Sequence, residues 1–456
     1  MDIKNTSGAK EFIRAQADDI RRSISIDKSY YKEYDVKRGL RNSDGTGVMA
    51  GVTRIGNVRG YYMQDGEKTA MEGKLFYRGY DVEDIVSGFL AGDRFGFEET
   101  AYLLLFGKLP GAGELTEFKA ILAEYRELPR GFTEDMILAA PSRNIMNKLA
   151  RSVLALYSYD KDPEVDGADI GKELAKALHL IAQCPVIAVN AYAAKRHYFD
   201  REDLFLHRPD PEMSIAENIL HSLHRDNGVT FEEAQLLDLC LVLHAEHGGG
   251  NNSAFACRVL SSSGTDIYSA ISAAIGSLKG PRHGGANEKV MKMFSLVENE
   301  VSDWKDDDEV KAYLRKVLNR EAGLKDGLIY GMGHAIYTLS DPRAVMLKSL
   351  AGKLAEKAGL SDRYGLLETV ERLTPEVFEE ESGNKKAMCA NVDMYSGFVY
   401  EMLGIPSELY TPLFAISRMV GWCAHRIEEA FNPNKIIRPA YKAIIHGARY
   451  TPLEKR

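Results

Sequence analysis

The chain has 456 residues, 45% hydrophobic and 27% charged, a globular profile too long for one small core. Its net charge is −8 and its pI is near 5.9, so a basic nucleic-acid footprint is not expected, and no Lys/Arg block supplies one locally. An acidic protein that handles acidic substrates must concentrate its positive charge in a pocket, which makes individual arginines informative.

In chain order, residues 1–45 read as a polar helical arm, with Phe12, Ile13, Ala17 and Ile20 at helical spacing. The arm lacks an apolar signal core and carries acids unlike a transit peptide. With no run near the roughly 18 uninterrupted apolar residues of a membrane span, the expectation is a cytoplasmic protein without membrane contact. Residues 41–51 are turn-rich and mark the start of the main body. Alternating β-branched and aromatic residues over 51–81 predict short strands or a hairpin.

Helical periodicity then dominates, predicting helices over 82–90, 97–105, 114–128, 143–157, 172–196 (bent near Pro185), 231–246, 267–278, 309–320, 342–358 and 413–431. The fold class is mainly α, without a fixed-period repeat. Five scattered cysteines, with no CxxC pair, argue for a reducing compartment and against a disulfide framework. The helix over 266–280 is rich in Ala, Ser and Gly, so a neighbouring helix can approach closely. That neighbour is either another part of this chain or a second subunit. In SDWKDDDEV, residues 302–310, the acids open a helix and suit its N-terminal dipole better than catalysis.

Three segments couple a histidine to glycines at an element boundary. In LHAEHGGGNNSAF, residues 243–255, an apolar helix ends in His244–Ala–Glu–His247 before three glycines. A metal held by His244, Glu246 and His247 is the rival reading, but the spacing is not HExxH and no further ligand lies nearby. In GPRHGGANEKVMKMF, residues 280–294, His283 precedes a helix whose positive end, with Arg282, disfavours imidazolium. A neutral histidine there can donate to a developing enolate, or serve as a structural cap. In YGMGHAIYTLSDPRA, residues 330–344, Gly331 and Gly333 present His334, and Arg343 sits in a first helical turn. That placement opposes the dipole unless Arg343 has an anionic partner, either Asp341 or a substrate carboxylate. Farther on come Asp393 in CANVDMYSGF, Arg418 in AISRMVGW and Arg438 in NKIIRPAY. Arginine's planar fork suits carboxylates, though each of these singly is compatible with an ordinary salt bridge.

Together LHAEHGGGNNS, GPRHGGAN, GMGHAIYTLSDPRA and NVDMYSG closely resemble the segments of citrate synthases, in the same order and at similar separations. The likeness also covers GKLFYRGYDVEDIV and spans about residues 50–450. It implies a two-domain helical fold, with a large domain (46–286 and 391–456), a mobile small domain (287–390) and a cleft between them. The family's reaction joins acetyl-CoA to oxaloacetate, in a homodimer whose subunits share each site. The resemblance makes His283, His334 and Asp393 catalytic, and has His247, His334, Arg343, Arg418 and a partner-lent Arg438 bind oxaloacetate. It also turns the small-residue helix toward the subunit interface.

No metal or redox cofactor is implied, since the CoA thioester is a substrate. Relatives often carry a basic residue for CoA phosphate where this chain has Thr338, and Lys385 and Lys386 are the candidates to replace it. Arg282 stands where relatives commonly have a small or apolar residue. The close alternative is 2-methylcitrate synthase acting on propionyl-CoA, because one methylene is worth only about 1–3 kcal/mol. Citryl-CoA cleavage, a metal-dependent hydrolase centred on HAEH and a binding-only relative are more distant alternatives.

Overall fold

An antiparallel hairpin opens the main body: β1 (Gly56–Gln64) pairs with β2 (Glu67–Tyr77), Gly56 opposite Tyr77, with a register shift between Arg59 and Tyr61. A two-residue strand, β3 (Tyr80–Asp81), extends the sheet from the far edge of β2. The computed structural model describes residues 11, 14, 16, 17, 21–65, 67–164, 169–224, 228–383, 387–432, 435–445, 447 and 449–455.

After the sheet, the regular elements among the described residues are helices, as the periodicity predicts. The helices are α2 (Val82–Ala91), α3 (Phe97–Phe106), α4 (Ala112–Tyr125), α5 (Ile145–Leu156), α6 (Ile170–Asp200), α7 (Ile215–Leu223), α8 (Phe231–His244) and α9 (Asn252–Ser261). They continue with α10 (Ile267–Leu278), α11 (Ala286–Glu300), α12 (Asp307–Leu318), α13 (Pro342–Lys357), α14 (Ser361–Ser382), α15 (Asp393–Met402) and α16 (Tyr410–Phe431). The chain forms two units by its contacts, residues 1–51 with 438–456 and residues 52–437. The first contains the short helix α1 (Ser29–Glu33) and places Lys442 Nζ 5.4 Å from the Tyr34 ring. Residues 11, 14, 16, 17 and 21–23 of the arm are helical, while Phe12, Ile13 and Ile20 lie outside the described residues.

Helix starts follow the local chemistry. Asp81, Asp266, Asp306 and Asp341 each accept a backbone N–H of the first turn, and Ser214–Glu217 and Thr230–Glu233 form capping boxes. The acids at 306–309 are thus helix-start residues, with Asp306 capping α12 and Glu309 accepting from the N–H groups of Ser302 and Asp303. At the centre lies α16, packed against α3, α6, α8, α9 and α10. The apolar α6 runs on through Pro185. It is long and apolar enough to cross a membrane, but 78% of its apolar window is buried inside the fold, which marks a core helix. The small-residue helix α10 packs on α9 and α5, where Ser272 Oγ donates to the Ala150 carbonyl at 3.0 Å, while Gly276 stays exposed. The five cysteines are all free, and four of them are buried.

Candidate active site

The hairpin backs the site. A Cβ at Gly60 would overlap the Ile336 carbonyl, and one at Gly73 would overlap the Ser340 carbonyl. The bare backbone at these two positions therefore lets the 336–340 segment lie directly on the sheet, where Gly73 N–H donates to Ser340 Oγ at 3.1 Å. On that support sits the loop that presents His334, with Gly331 and Gly333 both at φ +87°. Met332 forms a β-bridge with Ala390, Gly333 N–H donates to the Cys389 carbonyl and Asn391 N–H to the Gly331 carbonyl, each at 2.8 Å. Asn391 completes the tie: its Nδ2 donates to the Gly333 carbonyl at 3.0 Å, and its Oδ1 accepts from Asp393 N–H at 3.0 Å. Two segments some 60 residues apart, carrying His334 and Asp393, are thereby locked to one another.

His334 is also locked in tautomer. Its Nδ1 accepts the N–H groups of Ile336 (3.1 Å) and Tyr337 (3.2 Å), which assigns the proton to Nε2. The Tyr337 ring stacks on His334 at 4.7 Å and meets His247 edge-on at 5.6 Å. Asp393 opens α15. Burial raises its carboxyl to about 6; the Arg343 guanidinium opposes the rise, Asp341 adds to it and Arg418 opposes it. A carboxyl tuned there is a usable base near neutrality.

His283 lies in the turn before α11, two residues ahead of its cap, Gly285. Burial lowers its imidazole to about 4, with Arg418 the second cause, so it is neutral. Arg282 is not among these causes. Ser253 N–H donates to His283 Nε2 at 3.3 Å, leaving the proton on Nδ1. Ser253 Oγ lies 3.0 Å from the same nitrogen and accepts from Trp422 Nε1 at 3.2 Å. Asn287 of α11 donates to Ser396 Oγ of α15 at 2.6 Å, clamping the starts of the helices that carry His283 and Asp393.

The anion-binding candidates divide. The partner of Arg343, left open by the sequence, is Asp341: Nε–Oδ1 is 3.0 Å and Nη2–Oδ2 is 2.7 Å, and Asp341 Oδ1 also accepts the Arg343 N–H at 3.1 Å. Burial works against this guanidinium's charge, but Asp341 outweighs it and holds Arg343 above its ordinary range. Arg418 is 1% exposed, its Nε donates to the His244 carbonyl at 2.6 Å, and among the described residues neither Nη1 nor Nη2 has a hydrogen-bond partner. Burial lowers it to about 10, with Glu246 the largest opposing influence. His247 stands edge-on to His334 at 5.1 Å, is kept neutral by burial first and Arg343 second, and has an unpartnered Nε2.

Buried donors without acceptors are expensive, so the Arg418 Nη1 and Nη2 groups, with the His247 ring as a neighbour they act on, suit an oxygen-rich anion. His244 Nδ1 donates to the Cys240 carbonyl at 2.7 Å and Glu246 accepts from His425; among the described residues no three His, Cys, Asp or Glu side chains are grouped to hold a metal ion. Arg438 is exposed and belongs to the unit of residues 1–51 and 438–456. Lys385 and Lys386 lie outside the described residues. Thr338 Oγ1 is buried without a partner. Sequence reading missed Ser253, Tyr337 and Trp422 as site residues, although each sits inside or beside a quoted motif.

The family described as citrate synthase, C-terminal domain, matches residues 43–440. A citrate synthase of Haloferax volcanii is 35% identical over 429 residues, covering 92% of this chain and 99% of the relative. A 2-methylcitrate synthase of Shewanella oneidensis is 32% identical over 366 residues, covering 80% and 87%. Among solved structures, a ternary complex of the Thermoplasma acidophilum citrate synthase with carboxymethyl coenzyme A and oxaloacetate superposes with a TM-score of 0.74. It is 26% identical and covers 92% of this chain and 99% of its own.

Proposed function

The chain belongs to the citrate synthase family and is an enzyme of the acyltransferase class; from that premise we propose that it joins acetyl-CoA to oxaloacetate, releasing citrate and CoA. The observation that carries this reading is the clamp between α11 and α15, which sets a neutral His283 and the raised carboxyl of Asp393 at the starts of two packed helices.

In this reading the Asp393 carboxylate removes a proton from the acetyl methyl while His283 Nδ1–H donates to the thioester oxygen, giving the enol. The enol carbon bonds to the oxaloacetate ketone carbon. His334 Nε2–H polarises that ketone and stabilises the alkoxide that forms. Arg343, Arg418 and His247 hold the two carboxylates, and water then cleaves the citryl thioester. Residues 287–390 act as the mobile small domain, closing over the rest to exclude water. Two copies of the chain form the working unit, with Arg438 of each lent to the other's site and the exposed Gly276 side of α10 facing the partner.

The test is thiol release from acetyl-CoA and from propionyl-CoA, each with and without oxaloacetate. Oxaloacetate-dependent release with acetyl-CoA preferred is the expected result. No such release from either thioester defeats the reading, and a strong propionyl preference moves it to 2-methylcitrate synthesis.

A further inference from the structure

Two buried groups of opposite charge lie near one another and do not bond. Glu246 is fully enclosed with Oε2 unpartnered, and Arg418 is enclosed with Nη1 and Nη2 unpartnered. Glu246 is the largest influence opposing burial at Arg418; Glu246 is itself pushed up by burial but held below its ordinary range by His425 first and Arg418 after it, yet no ion pair joins Glu246 to Arg418. In a low-dielectric interior a free carboxylate and a free guanidinium should close on each other. Something restrains them.

The restraint lies on the far side of Glu246. Its Oε1 accepts from His425 Nε2 at 2.9 Å and from Gly248 N–H. His425 is in turn fixed by Arg258, whose Nη2 and Nε donate to Nδ1 at 2.7 and 3.2 Å, which assigns the His425 proton to Nε2 and aims it at Glu246. Arg258 is anchored by Glu429 at 2.7 Å and by Glu428, which itself accepts the Arg54 N–H at 2.7 Å. Shape agrees with this: a Cβ at Gly421 would come within 2.5 Å of Glu246 Oε2, and one at Gly56 within 2.7 Å of Oε1. The carboxylate is thus held in a slot between α16 and the hairpin, while Arg418 is tethered at Nε by the His244 carbonyl.

We propose that His425 is a positioning residue that withholds Glu246 from Arg418, so that the guanidinium stays charged by a nearby counter-ion but open to the substrate carboxylate. The inference rests on the reading of Arg418 as an oxaloacetate ligand. Released from His425, Glu246 competes with the dianion for Nη1 and Nη2. Oxaloacetate binding then weakens, and chemistry at His283 and Asp393, once substrate is bound, is spared.

The experiment uses the full chain and measures oxaloacetate affinity by calorimetry beside KM and kcat. His425→Asn keeps an atom near Arg258 but does not reach Glu246, and His425→Phe removes both contacts. Each is expected to raise the oxaloacetate KM about tenfold or more, equivalent to about 1.4 kcal/mol, with kcat within about twofold of the parent. His425→Gln, which reaches Glu246, is expected within about twofold of the parent KM. Adding Glu246→Gln to His425→Asn, which removes the competing charge, should restore most of the lost affinity.

An unchanged KM in folded His425→Asn and His425→Phe overturns the proposal. So does a double variant no better than His425→Asn alone, since a merely structural role gives no rescue. A parent chain that does not bind oxaloacetate overturns this inference together with the reading beneath it, whereas parent binding with no effect of His425 overturns this inference alone.

Discussion

The start of α13 and the middle of α16 each bury an arginine, and the two are in opposite conditions. Arg343 is answered by Asp341, two residues away, through a bidentate pair that also caps its own helix. Arg418 is answered by one backbone carbonyl, that of His244, and keeps two nitrogens unused. A paired buried charge contributes to the fold whatever else it binds, whereas an unpaired one has donors to spare. Two other candidate site groups share Arg418's condition: among the described residues His247 Nε2 has no hydrogen-bond partner, and burial raises the Asp393 carboxyl to about 6.

The largest test of that contrast compares Arg343→Leu with Arg418→Met. Removing Arg343 strands Asp341 as a buried charge and should destabilise the protein by about 3–5 kcal/mol in denaturant unfolding. Removing Arg418 relieves a desolvated charge and leaves Glu246 its bond to His425, so stability should fall by less than in Arg343→Leu while oxaloacetate affinity falls by about 2–3 kcal/mol. Equal losses of stability in the two variants break the comparison.

Asp393→Asn sharpens it. The folded carboxyl, at about 6, lies above its ordinary value of 3.8, so folding favours the protonated form. That contribution is complete below about pH 4 and is lost as pH rises through 6. The Asn variant should therefore gain stability over its parent between pH 5 and 7.5, by up to about 3 kcal/mol, while turnover collapses and oxaloacetate still binds. Parent turnover should itself rise through pH 6 as the base ionises. Thermal melts at several pH values, beside thiol-release rates, check both signs.

The smallest effect belongs to Tyr337, 1% exposed, with an unpartnered hydroxyl. Tyr337→Phe keeps the ring against His334 and drops an unsatisfied polar atom. It should be neutral or stabilising by up to about 1 kcal/mol, with turnover near normal. A destabilised Phe variant would mean that the hydroxyl has work to do.

Much of this was legible in the sequence, for reasons of distance. Asp341, Pro342 and Arg343 are consecutive, so the cap and the candidate pair could be read directly. Long periodic helices such as α8 and α10 were placed within a residue or two, and the acids at 306–309 declared themselves as a helix start. What sequence could not give was contact across the chain. Ser253 reaches His283 over 30 residues, and Trp422 reaches Ser253 over 169. The state of Arg418 depends on a carbonyl 174 positions away. For the same reason His283 proved neutral through burial and Arg418, which no local pattern announces. Helix α9 escaped notice because NSAFACRVLS carries few large apolar residues to mark a period, and α15 because nearly all of its faces are buried.

The hairpin that backs the site carries a consequence for synthesis. Gly73 and its partner Ser340 are separated by 267 residues. At the ribosome's pace of about 5–20 residues per second, the hairpin segment emerges some 13–53 s before the loop that lies on it, by the same rates. For that interval the hairpin segment lacks the 336–340 segment that covers it, and a lone two-stranded hairpin is only marginally stable. The candidate site is therefore completed late in translation: a stall just before residue 340 leaves α1 to α12 made but Arg343, Asp393 and Arg418 still missing.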